Sequence, residues 1–309
     1  MKILVTGGAG FIASHIAERF LGLGHEVTIV DSLVTGKREN LPQAAGFHEL
    51  DIRDPALDAV FAAEKPEVVC HHAAQMDVRK SVADPIYDAD VNLLGTLNLL
   101  ECCRRRGTRK VIYAGTGGAM YGEAVYMPAD EKHPVNPLSP YGVSKHTVEH
   151  YLYTYRVNHG LEFTVLRYPN VYGPRQDPHG EAGVVAIFSL QMLQGQTPTI
   201  FGDGSKTRDY CYVGDIVHGN ELALDRGDGG IYNLGRGIEV SDFEIFAAVR
   251  DAVGSRVEPA YAPARPGEVE HIALDAGLAE KEIGWRWTVG LPDGVGQAVR
   301  FYRSKLERE

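Results

Sequence analysis

The chain has 309 residues, 44% of them hydrophobic, enough for two packed cores, and a formal charge of −10 that excludes the basic face nucleic-acid recognition needs. No apolar run approaches the roughly 20 residues of a membrane span, and Met1-Lys2 leads straight into a strand without a signal-peptide core, which points to the cytoplasm. Four cysteines, Cys70, Cys102, Cys103 and Cys211, show no C-x-x-C spacing, so reduced, partly buried thiols are expected and a metal site is not.

Ile3, Leu4 and Val5 form a short apolar run of the kind buried on both faces of a sheet, and a glycine turn ends it. Behind the turn, Phe11, Ile12, His15, Ile16, Phe20 and Leu21 recur at spacings of three and four, which predicts a helix over 11–23. In this order of strand, turn and helix, Gly7 permits the tight turn and Gly10 lets a pyrophosphate approach the backbone. The helix N-terminus then offers N–H groups to the phosphates. Ala13 stands at the third motif position, which needs only a small residue. An ordinary glycine loop has the same composition. A second strand, 25–30, ends in Asp31, where a carboxylate is placed to accept from an adenosine ribose, and it favours a dinucleotide site.

Strands and helices then alternate without repeats: strand 47–50 ending in Asp51 and Ile52, helix 55–63, strand 67–73, helix 87–105, strand 110–114, helix 140–158 and strand 163–168. Such alternation predicts an α/β fold of Rossmann type, a doubly wound parallel sheet with ligands beyond the carboxyl ends of its strands. The basic run Arg104-Arg105-Arg106 is the solvated last turn of a helix, where cations favour the dipole. Past Pro169 the chain becomes richer in Gly and Pro, and 174–183 reads as a surface loop. The expected division is a nucleotide-binding domain over 1–170 and a smaller mixed α/β substrate domain over 171–309, some segments of which return to the first. Within the second, 199–201 and 210–213 flank GDGSKTRD and predict a hairpin, and 291–306 predicts a closing helix.

The most specific chemistry lies in SPYGVSKHTVEHYL, where Tyr141 and Lys145 are four apart and share a helix face. A free tyrosine titrates near about 10 and is a poor base at neutral pH. Bringing it to neutrality takes roughly 4 kcal/mol of differential stabilisation, which a lysine ammonium and the positive ring of an oxidised nicotinamide can supply in a partly dry site. Lys145 would also hydrogen-bond the nicotinamide ribose. A solvated Tyr/Lys pair is common on helices; the nucleotide turn upstream is what makes this one a catalytic candidate. A third hydroxyl belongs at the end of the preceding strand, where Thr116 stands just past Ala114. Ser139 and Ser144 are nearby alternatives, better placed to cap or solvate the helix start.

Read together, TGGAGFIASH, HHAAQ, VNLLGTLNLLE, YGVSK, RYPNVYGPRQ, RDYCYVGD and ARPGEVEH resemble the extended short-chain dehydrogenase/reductase family, most nearly its NDP-sugar 4-epimerases, in order and over nearly the whole chain. The resemblance implies that NAD contacts Gly7, Gly10, Phe11, Ile12, Asp31, Ser32, Gly36, Asp51, Ile52, Ala73, Ala74, Gln75, Asn92, Tyr141, Lys145 and Pro169. It assigns catalysis to Thr116, Tyr141 and Lys145. It implies that the substrate meets Thr116, Tyr141, Asn170, Thr199, Phe201, Arg208, Tyr210, Arg265, Glu268 and Ile272. Two guanidinium groups suit a pyrophosphate and a carboxylate suits ribose hydroxyls. Gly115, where the family carries serine, and Asp77, where close relatives carry a hydroxyl, are departures near the nicotinamide.

The implied activity is NAD-dependent 4-epimerisation of a UDP-hexose, UDP-glucose or UDP-galactose and also N-acetylhexosamine forms, through a 4-keto intermediate. A UDP-sugar partner, a homodimer formed through the helices near 88–105 and 140–158, and no nucleic-acid or membrane partner are expected with it. The alternatives are a 4,6-dehydratase, a decarboxylase, a uronate epimerase or a non-catalytic NAD-binding sensor. A dehydratase or decarboxylase needs an acidic group just after the Thr or Ser, and here Gly117 and Gly118 stand instead. A sensor would lack the Tyr/Lys pair.

Overall fold

Near-continuous apolar runs form the centre of a parallel sheet because both of their faces are covered. The computed structural model describes residues 1–179, 183–264 and 269–308. Six of its strands are β1 (Lys2–Thr6), β2 (Glu26–Asp31), β3 (Gly46–Glu49), β4 (Val68–His71), β5 (Lys110–Thr116) and β6 (Glu162–Tyr168). They join Gly230–Asn233 in one sheet ordered Gly230–Asn233, β6, β5, β4, β1, β2, β3. Every pairing is parallel, with Thr6 opposite His71 and Thr116 opposite Tyr168. The winding reverses between β1 and β4, and ligands of such sheets bind at that reversal.

On one face, Ala13, Ile16, Ala17 and Phe20 of the helix Phe11–Gly22 pack on Ile3, Val5 and Ile29, as the three-and-four spacing predicted. On the other, the helices Leu57–Glu64, Gly95–Arg106 and Pro140–His159 contribute Phe61, Leu99, Val148 and Leu152 to a core with Leu4, Val69 and Val111. Each such side chain contributes about 1.5–3 kcal/mol by leaving water. Past residue 171 a separate cluster joins the helices Val184–Leu193, Asp242–Val253 and Leu291–Leu306, with Phe188 meeting Phe246 edge to face at 5.9 Å. Two later segments return to the sheet: Gly230–Asn233 extends its edge, and the helix Val213–Ala223 buries Val213, Ile216 and Ala223 with the first helix.

One expectation is refined and one corrected. The helix predicted over 87–105 runs unbroken over 85–106 and widens into a π turn at Asp90–Leu94. Asp84 starts it, accepting from the Tyr87 N–H at 3.0 Å. The hairpin between 199–201 and 210–213 does not form. Thr199–Phe201 pairs in parallel with Ala260–Ala262, Tyr210–Tyr212 in parallel with Asn170–Tyr172, and Thr207–Arg208 antiparallel to Val240–Ser241. Gly202 and Gly204, both at positive φ, do turn the chain. Strand pairing is then decided by burial of Ile200 and Tyr210 in the shared cluster rather than by the local turn.

Candidate active site

Gly7 ends β1 at φ 71°, and a Cβ there would lie 2.8 Å from the backbone nitrogen of Ala73. Only glycine brings the turn this close to the end of β4. Gly10 caps the helix Phe11–Gly22 in extended conformation with no side-chain cap, so its first-turn N–H groups are presented past a bare backbone. Phe11 and Ile12 follow, partly buried against the core below the turn.

At the end of β2 the Asp31 carboxylate is oriented by two backbone donors, the Ala9 N–H at 2.9 Å and the Leu33 N–H at 2.8 Å. A Cβ on Gly36 would sit 2.7 Å from Asp31 Oδ1, so glycine there keeps the space over the carboxylate open. Ser32 beside it is exposed. An uncapped helix start, a bare glycine turn and a fixed carboxylate with a glycine above it suit a dinucleotide's phosphates and ribose. Further along this edge, Asp51 accepts from Arg53 in a paired contact, Nη2 to Oδ2 at 2.7 Å, and that guanidinium holds its carboxyl below the usual range. Ile52 is buried, and Gly95 makes way for it, since a Cβ there would meet Ile52 Cδ1 at 2.8 Å.

Beyond β4 the chain passes Ala73 and Ala74 and enters a network of buried amides. Thr6 Oγ1 accepts from the Ala73 N–H at 3.1 Å. The Gln75 N–H donates to Asn92 Oδ1 at 2.8 Å, and Asn92 Nδ2 donates to Gln75 O at 3.0 Å and to Ser144 Oγ at 3.1 Å. Ser144 Oγ donates in turn to the Tyr141 carbonyl at 3.0 Å. Ser139 caps the same helix, accepting from the Gly142 N–H at 3.2 Å. The two serines therefore serve the helix start, as expected of them.

The helix Pro140–His159 carries Tyr141 and Lys145 on one face. Gly142 lets it approach the turn after Thr116, because a Cβ there would meet the Ala119 carbonyl oxygen at 2.5 Å. Lys145 is 4% exposed, and burial brings its ammonium down to about 7 against the opposing pull of Asp88 and Glu149. His72, hydrogen-bonded to the Tyr168 hydroxyl at 2.9 Å, is held neutral by burial and then by the Lys145 charge, down to about 3. His71 shifts the same way for the same reasons. Thr116 ends β5 and makes no side-chain cap bond to the short helix Gly117–Met120 that follows. Gly115 is explained by packing: a Cβ would come 3.0 Å from Val165 Cγ1 and 3.3 Å from Arg167 Cγ. Asp77 is absorbed by a local role, accepting from the Lys80 N–H at 2.8 Å at the start of the helix Val78–Ala83.

Facing this edge, Pro169 leads from β6 into Asn170, whose N–H donates to the Asp209 carbonyl at 2.9 Å. A Cβ on Gly118 would meet Asn170 Oδ1 at 3.3 Å, so the turn after Thr116 and Asn170 face one another. Strand register sets Tyr210 opposite Asn170, and Arg208 lies two residues earlier, its Nη1 donating to the Thr207 carbonyl at 2.8 Å. Asp209 is the tie of this region, accepting from the N–H groups of Arg236, Gly237 and Leu274, with burial raising its carboxyl to about 6. Thr199 and Phe201 lie on a separate short strand paired with Ala260–Ala262, and Ile272 is buried with Met120, Tyr121, Ala129, Val269 and Leu274 behind the Thr116 turn. Arg265 and Glu268 lie outside the described residues. Sequence reasoning passed over Asp88 and Tyr113, both buried beside Lys145. The spacing of four between Asp88 and Asn92 within a predicted helix was the available signal.

The sequence pattern of the NAD dependent epimerase/dehydratase family matches residues 3–235. The UDP-glucose 4-epimerase of Mycolicibacterium smegmatis is 45% identical over 313 residues, spanning 99% of this chain and 100% of that protein. A crystal structure of UDP-glucose 4-epimerase with UDP-glucose from Thermotoga maritima superposes with a TM-score of 0.97 at 45% identity, covering 99% of this chain and 100% of the other. That of the Thermus thermophilus UDP-glucose 4-epimerase in complex with NAD gives 0.94 at 47% identity, covering 98% and 99%.

Proposed function

Because the chain belongs to the NAD dependent epimerase/dehydratase family, we propose a site in which Tyr141, Thr116 and Lys145 carry out the 4-epimerisation of a UDP-hexose, UDP-glucose and UDP-galactose interconverting through a 4-keto sugar. The observation that carries the assignment is Lys145: a lysine 4% exposed, one helical turn from Tyr141, at the carboxyl edge of the sheet beside a dinucleotide turn. Bound NAD would supply a hydride acceptor and donor at sugar C4.

Gly7 and Gly10 admit the pyrophosphate, Asp31 accepts from the adenosine ribose, and Gln75, Asn92 and Lys145 face the nicotinamide end. Tyr141, as phenolate, removes the proton from the 4-hydroxyl and later restores one, with the Thr116 hydroxyl hydrogen-bonding the reacting oxygen. The Lys145 ammonium stabilises the phenolate by direct charge interaction. Asn170, Arg208 and Tyr210 hold the nucleotide diphosphate while the keto sugar turns about it, and Arg265 and Glu268 complete this grip by resemblance. Supporting the epimerase over a dehydratase, Gly118 places no acidic group opposite Asn170.

The working form is a homodimer. Leu94, Val143, Tyr153 and Val157 expose apolar surface on the helical stretches 90–106 and 140–159, which suits a second copy of the chain. All four thiols are free and buried, in keeping with the cytoplasm. Incubation with UDP-galactose, UDP-glucose and UDP-N-acetylglucosamine, with products separated by chromatography, tests the reaction; absence of any 4-epimer rejects it. Light scattering of the purified chain tests the dimer.

A further inference from the structure

Building on the roles given above to Tyr141 and Lys145, we propose that Asp88 is a positioning residue of this site: one of its oxygens fixes Asn92 and Gln75, and the other supplies the counter-charge that keeps Lys145 an ammonium. Asp88 is 1% exposed. Its Oδ1 accepts from Gln75 Nε2 at 3.0 Å and from Asn92 Nδ2 at 3.1 Å, so both of these partners are neutral amides. Its Oδ2 is buried and has no hydrogen-bond partner among the described residues. A bare buried acceptor costs about 1–3 kcal/mol, and more when charged, so the position answers to something other than stability.

Lys145 is what it answers to. The titratable groups around this lysine come from four elements. Glu149 stands on its own helix with Tyr141, Tyr113 lies under it on β5, His71 ends β4 and His72 follows it, both feeling the lysine's charge, and Asp88 bears on it from Pro85–Ala89. The histidines are held neutral by burial, and Tyr113 is pushed up by it. Two carboxylates therefore set the local field. Glu149 is committed elsewhere, accepting from Arg167 Nε at 3.0 Å and Nη2 at 2.6 Å, and from His146 Nδ1 at 3.3 Å. The Arg167 guanidinium offsets most of its charge. That leaves Asp88 as the carboxylate that, among the described residues, has only neutral amides as hydrogen-bond partners and no ion pair.

The backbone supports the same role. Asn92, the Asp88 partner, sits in the π turn Asp90–Leu94 where the helix widens, and insertions of this kind concentrate at functional sites. Asp88 thus ties the amide pair on the cofactor side to the charge of the lysine that supports the Tyr141 phenolate. Its action is through Lys145, without contact to the sugar.

The test reads Lys145 directly. Lysine labelled with carbon-13 at Cε is titrated by NMR in the NAD-free chain, in Asp88→Asn and in Asp88→Glu, with Lys145→Met identifying the signal. In Asp88→Asn, the ratio of protonated to neutral Lys145 at fixed pH should fall about threefold or more. The high-pH limb of kcat should move down with it while KM for the UDP-hexose holds. Asp88→Glu should fall between the two, and it answers the same question if Asp88→Asn does not fold. An unchanged Lys145 titration in the folded variants, with only thermal stability lowered, would overturn the proposal. The titration stands whether or not the wild-type chain epimerises a UDP-hexose, so failure of the functional reading is seen separately, in the absence of 4-epimer.

Discussion

The Lys145 ammonium lies over the face of the Tyr113 ring, 4.2 Å from its centroid. A cation–π contact of this kind returns about 2 kcal/mol when desolvated, less than burial of the charge costs, which is why the ammonium is held down at about 7. With its folded value below the ordinary 10.5, the unfolded chain binds the proton more tightly. The stability penalty is therefore full below pH about 7 and fades as pH rises toward that ordinary value. Lys145→Met should stabilise the NAD-free chain by up to about 5 kcal/mol at pH 6 and by about 2 kcal/mol at pH 9. Urea unfolding at the two pH values measures it, and equal gains would contradict the burial account.

Tyr141→Phe removes a hydroxyl and leaves the helix and Lys145 in place. Turnover should fall by about 10²–10⁴-fold while the dissociation constant for NAD stays within about threefold. Turnover within a few-fold of wild type would remove Tyr141 from proton transfer.

Asp31 should favour NAD over NADP by more than about tenfold, because its carboxylate repels a 2′-phosphate. The cations that could offset it are already committed, Lys37 to Asp177 at 3.4 Å and Arg38 to Glu49. A fluorescence titration with both cofactors checks this. Tighter NADP binding would mean that Lys37 and Arg38 turn to the phosphate.

Gly118 faces Asn170, and a side chain on Gly117 would collide with Leu274. With no acid or base at either position, UDP- or dTDP-hexoses should yield no 6-deoxy-4-keto product. A steady yield of that product, followed by its absorbance in alkali, would sink the epimerase reading.

Ile272 is 2% exposed in the cluster behind the Thr116 turn; by resemblance it is the residue set against the sugar, where it is smaller than a tyrosine. UDP-N-acetylhexosamines should therefore be substrates. Ile272→Tyr should lower kcat/KM for them by about tenfold or more relative to the plain hexoses. Overpacking this cluster also costs about 1–3 kcal/mol, so thermal stability is measured alongside. Equal loss on both substrates, or no N-acetyl turnover in the wild type, would leave Ile272 a packing residue.

The strands from Lys2 to Tyr168 and their parallel, doubly wound arrangement were legible because their signals are local: mostly apolar runs of four to seven residues, helices spaced at three and four, and a glycine turn between them. The Tyr141/Lys145 pair was legible for the same reason, since four residues make one helical turn. Which partner each short strand past Pro169 takes was not. A hairpin turn is a local signal, whereas Thr199–Phe201 finds Ala260–Ala262 some sixty residues on, because burial of the intervening helices brings them together.

By itself the sequence determined a glycine turn after the first strand, an acidic residue closing the second and a Tyr/Lys helix on a doubly wound sheet, since each is encoded by spacing along a single element. Only the tertiary structure decided the protonation chemistry of the site. The charge on Lys145 depends first on its burial and then on Asp88 and Glu149, drawn with the Tyr113 ring from separate elements into one water-poor volume. Burial and Coulomb interaction act through space, and distance along the chain does not record them.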